Sequence, residues 1–102
     1  MGQEKRVITI QQAGSFGKDE ANFPGANILL KKDNIRVKLF HQGALIESDK
    51  SFFYSKKNAF KAQGEVIFTQ GDSIRMTSAF MEYDGETGKA KAWGSVFLEQ
   101  PD

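Results

Sequence analysis

The only histidine of the chain, His41, precedes Gln42-Gly43, and the chain has no cysteine to complete a metal site or nucleophilic triad around it. It reads as a turn or surface residue. Ser48 and Asp49 are adjacent, but neighbours on a strand point to opposite faces, so they do not pair as nucleophile and base. Asp72, Glu82 and Asp84 fall at turns and strand ends, the usual places for carboxylates. Nothing in their spacing selects two groups held about 5 to 10 Å apart across a cleft, as glycoside hydrolysis requires. Gly14-Ser15-Phe16-Gly17 lacks the further glycines, the lysine and the following helix of a phosphate loop. No set of nucleophile, base and oxyanion donors can be assembled, so an enzyme is the least expected class, with no catalytic residue, metal or cofactor expected.

The basic residues Lys31, Lys32, Arg36, Lys38, Lys56, Lys57, Lys61 and Arg75 fall mostly at strand ends or on an outward alternation. They admit two readings: solubility and edge protection, or recognition of phosphate and carboxylate groups. Fourteen Lys and Arg against thirteen Asp and Glu give a formal charge of +1, which provides no net field for nucleic acid. A length of 102 residues fits one modest domain, taken here as 1–102. The longest apolar runs are three residues, such as Ile28-Leu29-Leu30, against roughly 20 for a membrane-spanning helix. No apolar leader core follows Met1-Gly2, so the expectation is an intracellular protein or a segment freed of its targeting leader.

Any such groups must be positioned by short strands. Ten glycines, nine phenylalanines and two prolines, with apolar residues in alternating bursts, predict an all-β chain. Ile8 and Ile10 alternate with Val7 and Thr9 in a first strand, and a loop punctuated by Gly14, Gly17, Pro24 and Gly25 completes a leading segment, 1–25. Residues 26–30 and 35–39, separated by Lys31-Lys32-Asp33-Asn34, predict a hairpin with one apolar face. Further strands are expected over 44–48, 51–54, 60–62, 65–69, 73–77, 79–83, 89–92 and 95–99.

Residues 48–62 could instead form an amphipathic helical turn or two, but an internal repeat argues against it. Gln42-Gly43 and Ile46 match Gln70-Gly71 and Ile74 at a spacing of 28, Tyr54 matches Tyr83 at 29, and Ala62, Gly64 and Val66 match Ala92, Gly94 and Val96 at 30. Strands tolerate that drift because extra residues sit in turns, whereas a helix would lose its face.

Equating Tyr54 with Tyr83 and applying the period of two gives one inner face. It comprises Ile35, Val37, Leu39, Ile46, Phe52, Tyr54, Phe60, Ala62, Val66, Phe68, Ile74, Met76, Met81, Tyr83, Ala90, Ala92, Val96 and Leu98. This face reads either as an ordinary core or as a trough for an apolar ligand, kept shallow by Ala62, Ala90 and Ala92 and adaptable through Met76 and Met81.

The run from Gly43 through Phe52-Phe53-Tyr54 to Asn58-Ala59-Phe60-Lys61-Ala62-Gln63-Gly64-Glu65-Val66, and its continuation from Gln70 to Leu98, resemble successive units of the OstA-like (LptA) family. Gln-Gly-Asp, Glu-Tyr-Asp-Gly and Ala-x-Gly-x-Val carry the resemblance, which covers about 26–99. It implies a twisted, open antiparallel β-jellyroll from the periplasm of a Gram-negative bacterium, a non-enzymatic module of lipopolysaccharide export. By position, the inner-face residues become candidate contacts for lipid A acyl chains, and Arg36, Lys38 and Arg75 weaker candidates for its phosphates. The partners implied are lipopolysaccharide and other β-jellyroll modules, or further copies, joined through edge strands. Family members usually hold more repeat units, so the last strand, ending near Glu99, is expected to expose an edge. The rival readings are an assembly module with a closed core, and a closed barrel holding a small hydrophobic ligand.

Overall fold

The computed structural model describes residues 7–99. Met1-Gly2, where the leader expectation rests, lies outside them. The described chain is all strand and turn, without a helix: β1 (Thr9–Gln12), β2 (Ser15–Gly17), β3 (Asn27–Leu30), β4 (Val37–His41), β5 (Ala44–Ser48), β6 (Lys50–Tyr54), β7 (Ala59–Gln70), β8 (Ile74–Asp84), β9 (Lys89–Trp93) and β10 (Phe97–Glu99). They form one curled, open antiparallel sheet, a twisted β-jellyroll as expected. Residues 48–62 are strand and turn as well.

The long strands β7 and β8 run through both arms of a bent sheet. The first half of β7 pairs with β6 and its second half with β5, while β8 follows β7 along its length. The other edge of β8 carries β10 on one arm and β9 on the other. One arm is therefore β1, β4, β5, the end of β7, the start of β8, and β10. The other is β2, β3, β6, the start of β7, the end of β8, and β9. The expected strands 60–62 and 65–69 are one bent strand, as are 73–77 and 79–83.

The predicted hairpin of 26–30 with 35–39 does not form. β3 pairs with β2 and β6, β4 pairs with β1 and β5, and the two lie on different arms. Residues 31–36 take the chain from one arm to the other, with a small bridge between Lys32 and Ile35. Alternation identified both strands correctly, but alternation alone says nothing about which strand is the neighbour.

The bends obey a period of 30. Gly64 (φ 86°) and Glu65 (φ 45°) turn β7, and Gly94 (φ 83°) and Ser95 (φ 52°) turn the chain between β9 and β10. At the facing bends, Asp49 N–H donates to Gly64 O at 3.0 Å and Ala79 N–H donates to Gly94 O at 2.7 Å. Ser48 Oγ donates to Lys50 O and Ser78 Oγ to Phe80 O, the same step of two residues across the bend. Each Ala-x-Gly-x-Val motif thus encodes a bulged corner, where the left-handed backbone favours glycine. Arg36 braces the first of them. Its Nη2 donates to Gly64 O and Glu65 O at 3.1 and 2.6 Å, and its guanidinium faces Asp49 at 3.3 Å and Glu47 at 3.8 Å.

A Cβ added at Gly64 would lie 2.8 Å from Asp49 Cβ, on a backbone few L residues adopt. Gly64→Ala is expected to cost about 1–3 kcal/mol. Gly17→Ala, where a Cβ meets nothing within 4 Å, is expected to leave the urea midpoint nearly unchanged. Equal midpoints for the two variants would contradict this account of the corner.

Candidate functional site

The inner faces of the two arms meet in one apolar cluster. From the first arm it takes Ile8, Val37, Leu39, Ala44, Ile46, Val66 and Phe68, and from the second Leu29, Phe53, Phe60, Ala62, Met81 and Tyr83. Each large side chain removed from water here contributes about 1.5–3 kcal/mol. The rings of Phe60 and Tyr83 stack at 5.3 Å. Side chains also join the far ends of the arms: Tyr83 OH lies 2.6 Å from His41 Nδ1, and Ile8 N–H donates to Asn58 Oδ1 at 2.9 Å. His41 is therefore no surface residue. It ends β4 on the inward alternation and is fully buried, its polarity met by Tyr83 across the interior.

Of the sequence-predicted site residues, the structure gathers Val37, Leu39, Ile46, Val66, Phe68, Met81 and Tyr83 in this cluster, with Ile74 and Met76 partly buried against it. Val96 and Leu98 lie at its C-terminal end. Leu98 pairs with Met76, so it shares the inner side, yet it is 53% exposed and Val96 is 49% exposed. Ile35 is exposed in the 31–36 connection, away from the cluster.

Phe52 and Tyr54 are on the opposite face. Phe53 pairs with Phe60, and it is Phe53 that joins the core, while Phe52 is covered from outside by Phe23 at 4.5 Å. The cause is the Tyr54–Tyr83 match. Ser48 and Ser78, Asn58 and Gly88, and Gly64 and Gly94 all stand 30 apart, so Tyr83 is the equivalent of Phe53. An offset of 29 is odd, and a one-residue slip on a strand turns every side chain to the other face. Even offsets placed Ile74 and Ala92 against the cluster. Phe53, missed from the inner face, carries the same signal, being the inward residue once the even offset is used, whereas Leu29 is inward through its pairing with Ser51 on β6.

The three candidate phosphate contacts are also distinguished. Arg36 is committed to the corner described above. Arg75 Nη1 meets Glu99 Oε1 at 3.1 Å on the outer side of β8 and β10. Lys38 stands on the outward alternation of β4.

The inner face is thus filled over most of its extent, where Leu29, Val37, Val66 and Met81 are buried, and uncovered at β10, where Leu98 stands beside Met76. At the two ends of the sheet lie strands that, among the described residues, are paired on one side only, β1 and β2 at one and β9 and β10 at the other. Such a sheet, with an apolar interior and unpaired ends, defines a repeat-built β-jellyroll module. The chain belongs to the OstA-like protein family, whose model matches residues 5–102. That family is transport-related, and its members are periplasmic. No curated protein and no solved structure gives a significant match.

Burial, and after it the charge of Asp84, raises the Tyr83 phenol above its usual value of 10.0. The folded chain therefore holds this proton more tightly than the unfolded chain. The resulting stability is complete below pH 10.0 and is lost as pH rises through the folded value. Tyr83→Phe removes the bond to His41 and is expected to cost about 1 kcal/mol at neutral pH. It should also flatten the loss of stability in alkali, as measured by denaturant titration across that range.

Proposed function

We propose that residues 1–102 form one non-enzymatic module of lipopolysaccharide transport in the periplasm of a Gram-negative bacterium. Its inner face takes lipid A acyl chains, and its end strands stack on other β-jellyroll modules or on further copies of itself. The observation that carries this reading is the half-exposed stretch of inner face at Val96 and Leu98, continuous with Ile74 and Met76 and then with the buried cluster. Apolar side chains left bare along an interior face gain about 0.8 kcal/mol for every CH₂ that covers them. Met76 and Met81 suit chains of differing shape. Val66, Phe68 and Tyr83 line the deeper part, reached only if a chain displaces existing contacts. A headgroup phosphate would be met by Lys38, or by Arg75 after release from Glu99.

The filled part of the face, which extends through Met81 and Tyr83, supports a second reading, an assembly module whose core is closed and which binds no lipid. In that case β9 and β10 serve only as a docking edge, whose unpaired N–H and C=O groups attract another strand.

A photoreactive residue at Met76 or Leu98 is expected to capture purified lipopolysaccharide, while one at exposed Lys31 is not. Equal capture at all three positions, or none, would refute the lipid reading. Val96→Asp with Leu98→Asp should abolish capture without unfolding the chain, because both side chains are already half in water. Light scattering that grows with protein concentration, with no lipid copurifying, is the result expected of the assembly module.

A further inference from the structure

The second arm carries a groove of about 780 Å³ on the side of the sheet where Tyr54, Lys61, Glu82 and Lys91 stand, and Phe60, Tyr83 and Ala90, which alternate with those rows, also line it. The size falls within the range of about 300–1,000 Å³ usual for small-molecule sites. Its wall is an excursion of the chain over 18–26, bringing Phe23 and Pro24 over the sheet. That wall is internally braced. Asp19 O accepts the Phe23 N–H at 2.7 Å, the Asp19 carboxylate accepts both the backbone and side-chain N–H groups of Asn22, and Glu20 accepts the Gly25 N–H. The Phe23 ring rests on Phe52, so the wall stands without help from a ligand.

The floor consists of two cross-strand rows. One runs Tyr54, Ala59, Asp84, Lys89, and the next Lys61, Glu82, Lys91. Ala59 leaves a hollow between Tyr54 and Asp84. Lys57 overhangs from the turn, its Nζ 5.5 Å from the Tyr54 ring centroid. Four lysines thus face two carboxylates, and among the described residues none of Lys61, Lys89 and Lys91 belongs to an ion pair. A bare anion would be drawn by the lysines but opposed by Glu82 and Asp84. A purely apolar ligand would leave all six charges unmatched.

The geometry points to an acidic saccharide as the ligand of this groove, a chain of sugar rings bearing carboxylate or phosphate groups. Its acidic substituents meet the lysines in charge-assisted hydrogen bonds. Its hydroxyls donate to Glu82 and Asp84, and the C–H face of a ring lies against the electron-rich face of an aromatic side chain. The recognition groups stand on the outward rows, so the assignment does not rest on acyl chains binding at the inner face.

The test uses the ¹⁵N-labelled full chain, titrated with trigalacturonate, a sugar phosphate, neutral maltotriose and triglutamate. Trigalacturonate or the sugar phosphate is expected to shift the amides of Asn22, Phe23, Tyr54, Lys61 and Lys91, and the stronger of the two identifies the acidic group. Maltotriose and triglutamate should bind at least about tenfold more weakly, a difference of roughly 1.4 kcal/mol. Lys61→Gln with Lys91→Gln, both exposed positions, should remove the response while the dispersed spectrum persists. Absence of shifts, triglutamate binding as well as trigalacturonate, or an unchanged response in the double variant would each overturn the assignment.

Discussion

A strand that must run through two arms has to bend without leaving its backbone groups unpaired, and this chain solves that requirement at one level of the sheet. There the carbonyls of Gly64 and Gly94 accept from Asp49 and Ala79, the serine hydroxyls of residues 48 and 78 satisfy carbonyls beyond the bend, and Arg36 reaches across to the carbonyls of the first bulge. Without those bonds the buried polar groups would each cost about 1–3 kcal/mol, a large fraction of a small module's stability. With them, β7 and β8 can belong to both arms, and the inner faces close on each other. The apolar cluster, the contact between His41 and Tyr83, and the outer groove all follow from where the bend falls.

The same bend explains what could be read from residues alone. Short alternating runs and the Ala-x-Gly-x-Val repeat made the all-β jellyroll visible, because period two and bulge glycines are local properties. Much of the buried inner face was legible for the same reason, from Val37 and Leu39 to Met81 and Ala92. Phe52 and Tyr54 were misplaced because an aromatic match at an odd spacing outweighed the serine, asparagine and glycine matches at an even one. The supposed hairpin of 26–30 with 35–39 failed for a different reason: the partner of a strand is decided by the whole sheet. His41 continues the alternation of Val37 and Leu39, but the group that satisfies its polarity, Tyr83, lies 42 residues away and could not be read from local pattern. The outer groove was equally invisible, being made by an excursion at 18–26 folding over strands much later in the chain.

The two faces of the second arm now carry different chemistries on the same strands. On β8, Met81 and Tyr83 face the interior, while Glu82 and Asp84 face the groove. Alternation gives a single hairpin an apolar side toward the interior and a charged side toward the groove. The separation also means that substitutions on one face need not disturb the other. The half-exposed end at Val96 and Leu98 stands apart from both, as surface that the described strands do not finish covering.

The mechanical character of the fold follows from how its arms are joined. At the bend they share continuous strands and a ladder of main-chain bonds, whereas their far ends meet through isolated contacts that use side chains, His41 with Tyr83 and the Ile8 main-chain N–H with Asn58 Oδ1. The molecule is therefore a stiff spine with compliant lips. Any widening of the interior happens by parting the lips, and its size is set by how far β7 and β8 flex about the corner rather than by rupture of the sheet.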